Sequence, residues 1–276
     1  MNIAPGATIG ALQATLPLDP LENRILLQEA LGLSRVALIT QSERALTSDE
    51  AGRLAALVQR RIEGEPIAYI VGQREFFGLN FKVSPAVLIP RPDTELIVEL
   101  AIERLAPQGR LLDMGTGSGA IAVSVAHTRA DAQVTALDVS EAALEVARAN
   151  ALANGANVRF LQSDWFAALA DEQFEIVASN PPYIAAGDEH LSQGDLRFEP
   201  IGALTDHADG LSALSIIING ARRHLVEGGW LLLEHGYDQA AQVRASLAAA
   251  GYAEVQSWRD LAGIERVSGA RLVRVG

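Results

Sequence analysis

Residues 111–120, Leu111-Leu112-Asp113-Met114-Gly115-Thr116-Gly117-Ser118-Gly119-Ala120, run from a mostly apolar segment through three glycines into the start of a second apolar segment. A short apolar run that stops at glycine reads as a buried strand, and the residues that follow, Ala120 to His127, read as a helix. Glycine lets the turn between them take left-handed backbone and approach a ligand closely, while the helix N-terminus offers unpaired N–H groups. Such a unit belongs to a parallel sheet with helices on its faces.

Outward from this unit the alternation continues. Candidate strands fall at Arg110 to Met114, Gln133 to Asp138, Val158 to Ser163, Phe174 to Ser179, Trp230 to Glu234, Ala253 to Trp258 and Arg271 to Val275. Candidate helices fall at Ala120 to His127, Ser140 to Asn154, Leu211 to Leu225 and Gln239 to Ala250. The pattern predicts an α/β fold with a Rossmann-like seven-stranded sheet over residues 95–276. Upstream the character changes twice. Residues 1–67 are helical: Leu21, Ile25 and Leu26 recur at helix spacing, Ser34 is placed to cap a second helix, and Ser48 to Ile62 carries Leu54, Leu57, Val58 and Ile62 on one side. So small a bundle has little room for a cofactor and reads as a docking module. Residues 68–94 read as a β-hairpin linker that turns at Gly78 or Asn80, after which Pro90 and Pro92 hold Ile89 and Arg91 extended.

Composition narrows the function. The chain has 276 residues, 49% hydrophobic, with a formal net charge of −12, and Lys82 is its only lysine. A protein that grips a phosphate backbone presents a basic face, so nucleic acid is not the expected substrate. Cys is absent, which excludes disulfides and thiolate metal sites, and the 5 His have no ligand-like spacing, so no metal is expected. No apolar run approaches the ~20 residues that span a bilayer, and Met1-Asn2-Ile3-Ala4-Pro5-Gly6 lacks a basic segment followed by an apolar one. A cytoplasmic protein is expected, with no membrane partner.

The glycine turn has two readings. Gly115, Gly117 and Ala120 satisfy the dinucleotide fingerprint, and Asp138 ends the next strand where a ribose-binding acid belongs. Three features favour S-adenosylmethionine instead. Asp113 precedes the glycines, where a carboxylate attracts the ammonium of a methionine moiety but repels a pyrophosphate. Ser163-Asp164-Trp165 closes the third strand with an acid able to accept from an adenine amino group. The fourth strand ends in Asn180-Pro181-Pro182-Tyr183, and no hydride-transfer pair of His with Arg or Tyr with Lys stands out.

That last segment carries the chemistry. The two prolines restrict Asn180 and Pro181 to extended backbone. An amide or aromatic amino nitrogen is a poor nucleophile because its lone pair is delocalised. The Asn180 side-chain oxygen and the Pro181 carbonyl are two acceptors that could bind the two N–H bonds of such an –NH₂ group, aim its lone pair at a methyl and stabilise the charge growing on nitrogen. Tyr183 would stack on the flat group, whether amide or base. The residues alone leave open a side-chain amide, the amino group of adenine in DNA or RNA, and a non-catalytic adenosylmethionine-binding protein.

Asn180-Pro181-Pro182-Tyr183 is similar to the motif of class I methyltransferases that act on exocyclic or amide nitrogens. Together with Gly78-Leu79, Phe81-x-Val83, Ile89-Pro90-Arg91-Pro92-Asp93-Thr94-Glu95, Asp113 to Ala122, Ser163-Asp164-Trp165-Phe166 and Glu199-Pro200 followed by Ala203-Leu204, it resembles the HemK/PrmC family of peptide chain release factor glutamine methyltransferases. The resemblance runs from about Leu21 to the C-terminus. It implies that the substrate is the glutamine of the Gly-Gly-Gln loop of class 1 release factors, and that S-adenosylhomocysteine is the product. By position it implies that Gly115, Thr116, Gly117, Ser118 and Gly119 hold the methionine end, Asp138 the ribose, and Asp164 with Trp165 the adenine. The amide then lies on Asn180, Pro181, Pro182 and Tyr183, with Leu88 to Arg91 lining the pocket and the helical module touching the release factor. His190, Glu199 and His207, in the loop-rich segment that follows, read as surface residues.

Overall fold

The computed structural model describes residues 3–273 and divides after Gly72 into two compact units. The first contains α1 (Ile9–Thr15), α2 (Pro20–Leu31), α3 (Arg35–Thr40), α4 (Ser48–Ile62) and α5 (Ile67–Val71). Local chemistry sets their ends. Asp19 caps α2 and Pro20 starts it, while Gly32 ends it in left-handed conformation. Ser34 caps α3 as expected, and Thr47 and Glu50 form a reciprocal capping box on α4. Ile9, Leu26, Leu27, Leu38, Leu54 and Val58 are fully buried and form the core of this unit, whereas Ile62, expected on the apolar side, is half exposed.

The expected boundary at residue 67 falls five residues early. Residues 67–71 form α5, its Ile70 packs into the helical core, and Gly72, with φ of +72°, stops it. The segment that follows is not a free-standing linker. Strands β1 (Gln73–Phe76) and β2 (Leu79–Lys82) pair antiparallel about Phe77-Gly78, both with positive φ, as a two-residue hairpin requires. Phe76 and Phe81 are buried in the same cluster as Ile97, Val98 and Val123, so the hairpin belongs to the second unit.

The second unit continues with a 3₁₀ turn at Pro92–Thr94, then α6 (Glu95–Arg104), β3 (Arg110–Met114), α7 (Ala120–Thr128), β4 (Gln133–Asp138), α8 (Glu141–Ala153), β5 (Val158–Gln162) and β6 (Phe174–Ser179). After a loop-rich stretch come α9 (Ile201–Leu204), α10 (Ser212–His224), β7 (Leu225–Glu234), α11 (Ala240–Ala249), β8 (Ala253–Arg259) and β9 (Glu265–Arg271). Among the described residues seven strands form one sheet in the order β5-β4-β3-β6-β7-β9-β8, with only β9 antiparallel to its neighbours. Side chains alternate along the parallel strands. Leu111, Ala136 and Ile176 pack with α6 and α7, and Leu112, Leu137 and Val177 pack with α10 and α11.

Two strands differ from expectation. β7 begins at Leu225, five residues early, because a register shift between Phe174 and Ile176 of β6 lets it run past Gly228-Gly229. The last strand is Glu265–Arg271 instead of Arg271 to Val275, of which residues 274–275 lie outside the described residues. Gly269 reads as a breaker in sequence. In the sheet it is required, since a Cβ there would stand 2.5 Å from the Leu231 carbonyl oxygen.

β3 lies between β4 and β6, with Met114 opposite Leu137 on one side and Ser179 on the other. The chain therefore leaves three neighbouring strands at one edge, at Gly115, Asp138 and Asn180. This is the switch point of the sheet, where open α/β folds bind ligands.

Candidate active site

The turn after β3 is built on Gly115, Gly117 and Gly119, with φ of +67°, +54° and +85°. A Cβ at Gly115 or Gly117 would meet no protein atom within 4 Å, so the surface there stands open to a ligand. Gly119 is different: a Cβ would crowd Val123 and Ala147, so this glycine seats α7 on the turn. Asp113 is fully buried beneath, on the α7 face, and its Oδ2 accepts from the Thr116 hydroxyl at 2.6 Å and the Ala122 N–H at 3.1 Å. Burial pushes its carboxyl up to about 7 against those two hydrogen bonds. Asp138 accepts from Gly117 N–H at 2.9 Å and, through its other oxygen, from Ser140 N–H at 2.9 Å, which ties the glycine turn to the start of α8.

After β6, Asn180 is half-buried and Pro181 buried. The Asn180 Nδ2 donates to the Thr94 hydroxyl at 3.2 Å, which leaves Oδ1 as the amide atom available to a ligand. Thr94 is buried, and the carboxyl of Glu234, buried at the end of β7, accepts from the Tyr183 hydroxyl at 3.4 Å. Burial pushes Glu234 up to about 7, with the charge of Asp93 adding to the rise and Arg266 opposing it. Burial likewise raises the Tyr183 hydroxyl.

A cavity of about 320 Å³ joins the two turns, within the range of small-molecule sites. Gly115, Thr116, Gly117, Ser118, Asp138, Asp164, Trp165, Asn180, Pro181, Pro182, Leu88 and Arg91 all line it. Trp165 holds a φ of +48°, and Ser163 supports the turn by donating to its carbonyl oxygen at 2.8 Å and accepting from Ala168 N–H. So bulky a residue adopts this conformation only where its surroundings hold it.

The residues are matched by relatives along most of the chain. Residues 9–72 fit the PrmC N-terminal domain family and residues 92–195 the methyltransferase small domain family. The release factor glutamine methyltransferase of Burkholderia pseudomallei (strain K96243) is 55% identical over 96% of both chains. Those of Neisseria gonorrhoeae (strain ATCC 700825 / FA 1090) and Escherichia coli (strain K12) are 51% and 47% identical, the first covering 91% of this chain and 93% of its own, the second 90% of each. The chain belongs to the release factor glutamine methyltransferase family. A methyltransferase from Pyrococcus furiosus, 22% identical, shares the fold with a TM-score of 0.55 over 79% of this chain and 98% of its own. So does the Thermus thermophilus 16S rRNA N2 G1207 methyltransferase in complex with AdoMet and guanosine, also 22% identical, with a TM-score of 0.53 over 73% of this chain and 50% of its own.

In this member of the release factor glutamine methyltransferase family, three expected site residues stand elsewhere than their motifs implied, the first being Gly119, which seats α7 and does not line the cavity. Asp113 does not line the cavity, because the alternation of β3 turns it to the α7 side, where it shapes the turn from below. Tyr183 does not line it either. Its ring packs among the residues under α10, its hydroxyl reaches Glu234, and Gln239 Nε2 donates to its carbonyl oxygen at 2.9 Å. Glu199 is no surface residue: it is buried, ion-paired with Arg91, and accepts from Ile89 N–H at 3.0 Å, so it holds the wall formed by residues 88–91. Burial raises its carboxyl despite the arginine. His190 and His207 are exposed. Thr94 and Glu234 carried no motif of their own; Thr94 lies inside the Ile89 to Glu95 segment, and that was the only signal for it.

Proposed function

We propose that the chain carries the reaction its relatives are named for, methylating the side-chain amide nitrogen of the glutamine in the Gly-Gly-Gln loop of class 1 peptide chain release factors. S-adenosylmethionine is the cofactor, and S-adenosylhomocysteine the product. The observation that carries this reading is one cavity with two ends: an open glycine turn at one, and Asn180 with Oδ1 unengaged at the other.

The cavity fits the cofactor. Gly115 and Gly117 present backbone with room where side chains would be, and the N-terminus of α7 adds N–H groups. Asp138 would hold the ribose, its two oxygens keeping acceptor capacity beyond the bonds to Gly117 and Ser140. Asp164 and Trp165 would hold the adenine. When bound, S-adenosylmethionine supplies an electrophilic methyl on a positively charged sulfur. Asn180 Oδ1 and the Pro181 carbonyl accept the two N–H bonds of the amide, turn its lone pair into the cavity and stabilise positive charge as it grows on nitrogen. No base is required before transfer, since the nitrogen becomes acidic only afterwards. Leu88, Arg91 and Pro182 shape the wall, and the helical unit of residues 9–72 binds the release factor. The net charge of −12 and the absence of any helix among the described residues long and apolar enough to cross a membrane accord with a cytoplasmic protein partner.

The test is transfer of tritiated methyl from S-adenosylmethionine to a purified release factor, to DNA and to RNA. Label in the release factor, lost when its loop glutamine is changed to alanine, is the expected outcome. Label in nucleic acid alone overturns the proposal in favour of an adenine amino-group methyltransferase.

A further inference from the structure

The segment from Asn180 to Tyr183 is stiff between its ends, because each proline has a fixed φ and holds the residue before it extended. A stiff segment is aimed by its two anchors. The first is Ser179, the last residue of β6, which is fully buried, pairs with Met114 and Leu233 in the sheet, and donates from its hydroxyl to the Met114 carbonyl oxygen at 2.7 Å. The second lies at Tyr183 and comes from a different part of the chain.

There the Tyr183 carbonyl oxygen accepts from Gln239 Nε2 at 2.9 Å, across 56 residues of sequence. Gln239 stands at the N-terminal end of α11 and is almost entirely buried. Its Nε2 also donates to the Gly210 carbonyl oxygen at 3.3 Å, and its Oε1 accepts from Gly236 N–H at 2.8 Å. All three partners are backbone groups of a single sense, since a carbonyl only accepts and an N–H only donates, so the amide has one orientation. Gly236 is fixed in turn: its carbonyl oxygen accepts from Gln239 N–H at 3.1 Å and lies 2.8 Å from Nδ1 of the buried His235. Gly210, with φ of +80°, completes the seat, because a Cβ there would stand 2.4 Å from the Tyr183 carbonyl oxygen and 3.0 Å from Gln239 Nε2.

Gln239 does not line the cavity, so whatever it does for the reaction it does through the segment it holds. We propose that Gln239 is a positioning residue that anchors the Tyr183 end of the Asn180 to Tyr183 segment and thereby sets the direction of the Pro181 carbonyl. With Ser179 and Tyr183 both fixed, the prolines between them have no freedom left to turn that carbonyl out of the cavity. This rests on the cradle proposed above for Asn180 and Pro181. It gives the β7 to α11 turn a part in methyl transfer without contact to either reactant.

The experiment compares Gln239→Met, Gln239→Glu and Asn180→Ala in the full chain. It reads the single-turnover rate of methyl transfer to a purified release factor and, by calorimetry, the dissociation constant and stoichiometry of S-adenosylmethionine binding. The stoichiometry counts folded sites, so a loss of folded protein is not mistaken for a loss of rate. Gln239→Met keeps the length of the side chain and removes all three hydrogen bonds; the rate per folded site should fall about 10- to 100-fold, the scale of misplacing a reacting group by about an ångström. Its cofactor affinity should change by less than about threefold, since the glycine turn lies apart from this anchor. Gln239→Glu keeps the acceptor for Gly236 N–H but sets a second oxygen against two carbonyl oxygens. It should be slowed at least as much, and it serves as the test if Gln239→Met does not fold. A slow Asn180→Ala beside Gln239 variants at the wild-type rate overturns the inference, and so does a loss of cofactor affinity as large as the loss of rate. Transfer at the wild-type rate by Asn180→Ala overturns the cradle itself, and the inference with it.

Discussion

The turns after β3 and β6 leave adjacent strands at the same edge of the sheet, yet they hold their shape by different means. The first, Gly115 to Gly119, is held by backbone: three left-handed glycines, with Asp113 and Asp138 accepting from its hydroxyl and N–H groups at 2.6 Å and 2.9 Å. Its partners lie within about two dozen residues of it in sequence. The second, Asn180 to Tyr183, is stiffened locally by proline, but its side-chain amide is engaged by Thr94, which comes from a distant part of the chain. A turn that only has to offer N–H groups and space can be specified by its own residues. One that must present a particular atom of a rotatable amide needs groups from elsewhere in the fold.

That contrast predicts a division of labour, which mutations can break. Asn180→Ala should lower methyl transfer by at least about 100-fold with cofactor affinity nearly unchanged, measured by single-turnover labelling and calorimetry. An equal loss in both would merge the two turns into one function. Glu199→Ala removes the partner of Arg91 and the acceptor for Ile89 N–H. Because Arg91 is about one-third exposed, the cost in unfolding free energy should be about 2 kcal/mol, below that of a fully buried pair, and is read by denaturant titration. Gly117→Ala places a methyl in open space at a left-handed position, at a cost of roughly 1 kcal/mol in folding. Its methyl intrudes where the cofactor lies, so the dissociation constant should rise about tenfold while kcat at saturation changes little.

The last prediction is a slope. Glu234 is raised by burial from 4.5 to about 7, so between those values the unfolded chain has released a proton that the folded chain still holds. Stability conferred by the protonated form is therefore present at acid pH and is lost as pH rises towards 7. Glu234→Gln cannot ionise, and its unfolding free energy relative to wild type should improve from pH 5 to pH 8. A parallel pair of curves would show that Glu234 keeps an ordinary proton affinity in its buried place between Asp93 and Arg266.

The sequence by itself determined the alternation of strands and helices, the glycine turn, the stiff Asn180-Pro181-Pro182 segment and the caps of the N-terminal helices. These are local: glycine, proline and a capping hydroxyl act on backbone within a few residues, and apolar periodicity reports which face is buried. Tertiary structure alone decided which way the side chains at those places point. Asp113 sits under the turn because of the facing of β3, and Tyr183 turns to Glu234 because α10 and Gln239 hold it there. The last strand lies at 265–271 because Gly269 lets it pass close to the Leu231 carbonyl, which the sequence displays only as a glycine. Glu199 finds Arg91 across 108 residues and Thr94 finds Asn180 across 86. Such pairings depend on where strands end in space, and no spacing along the chain records them.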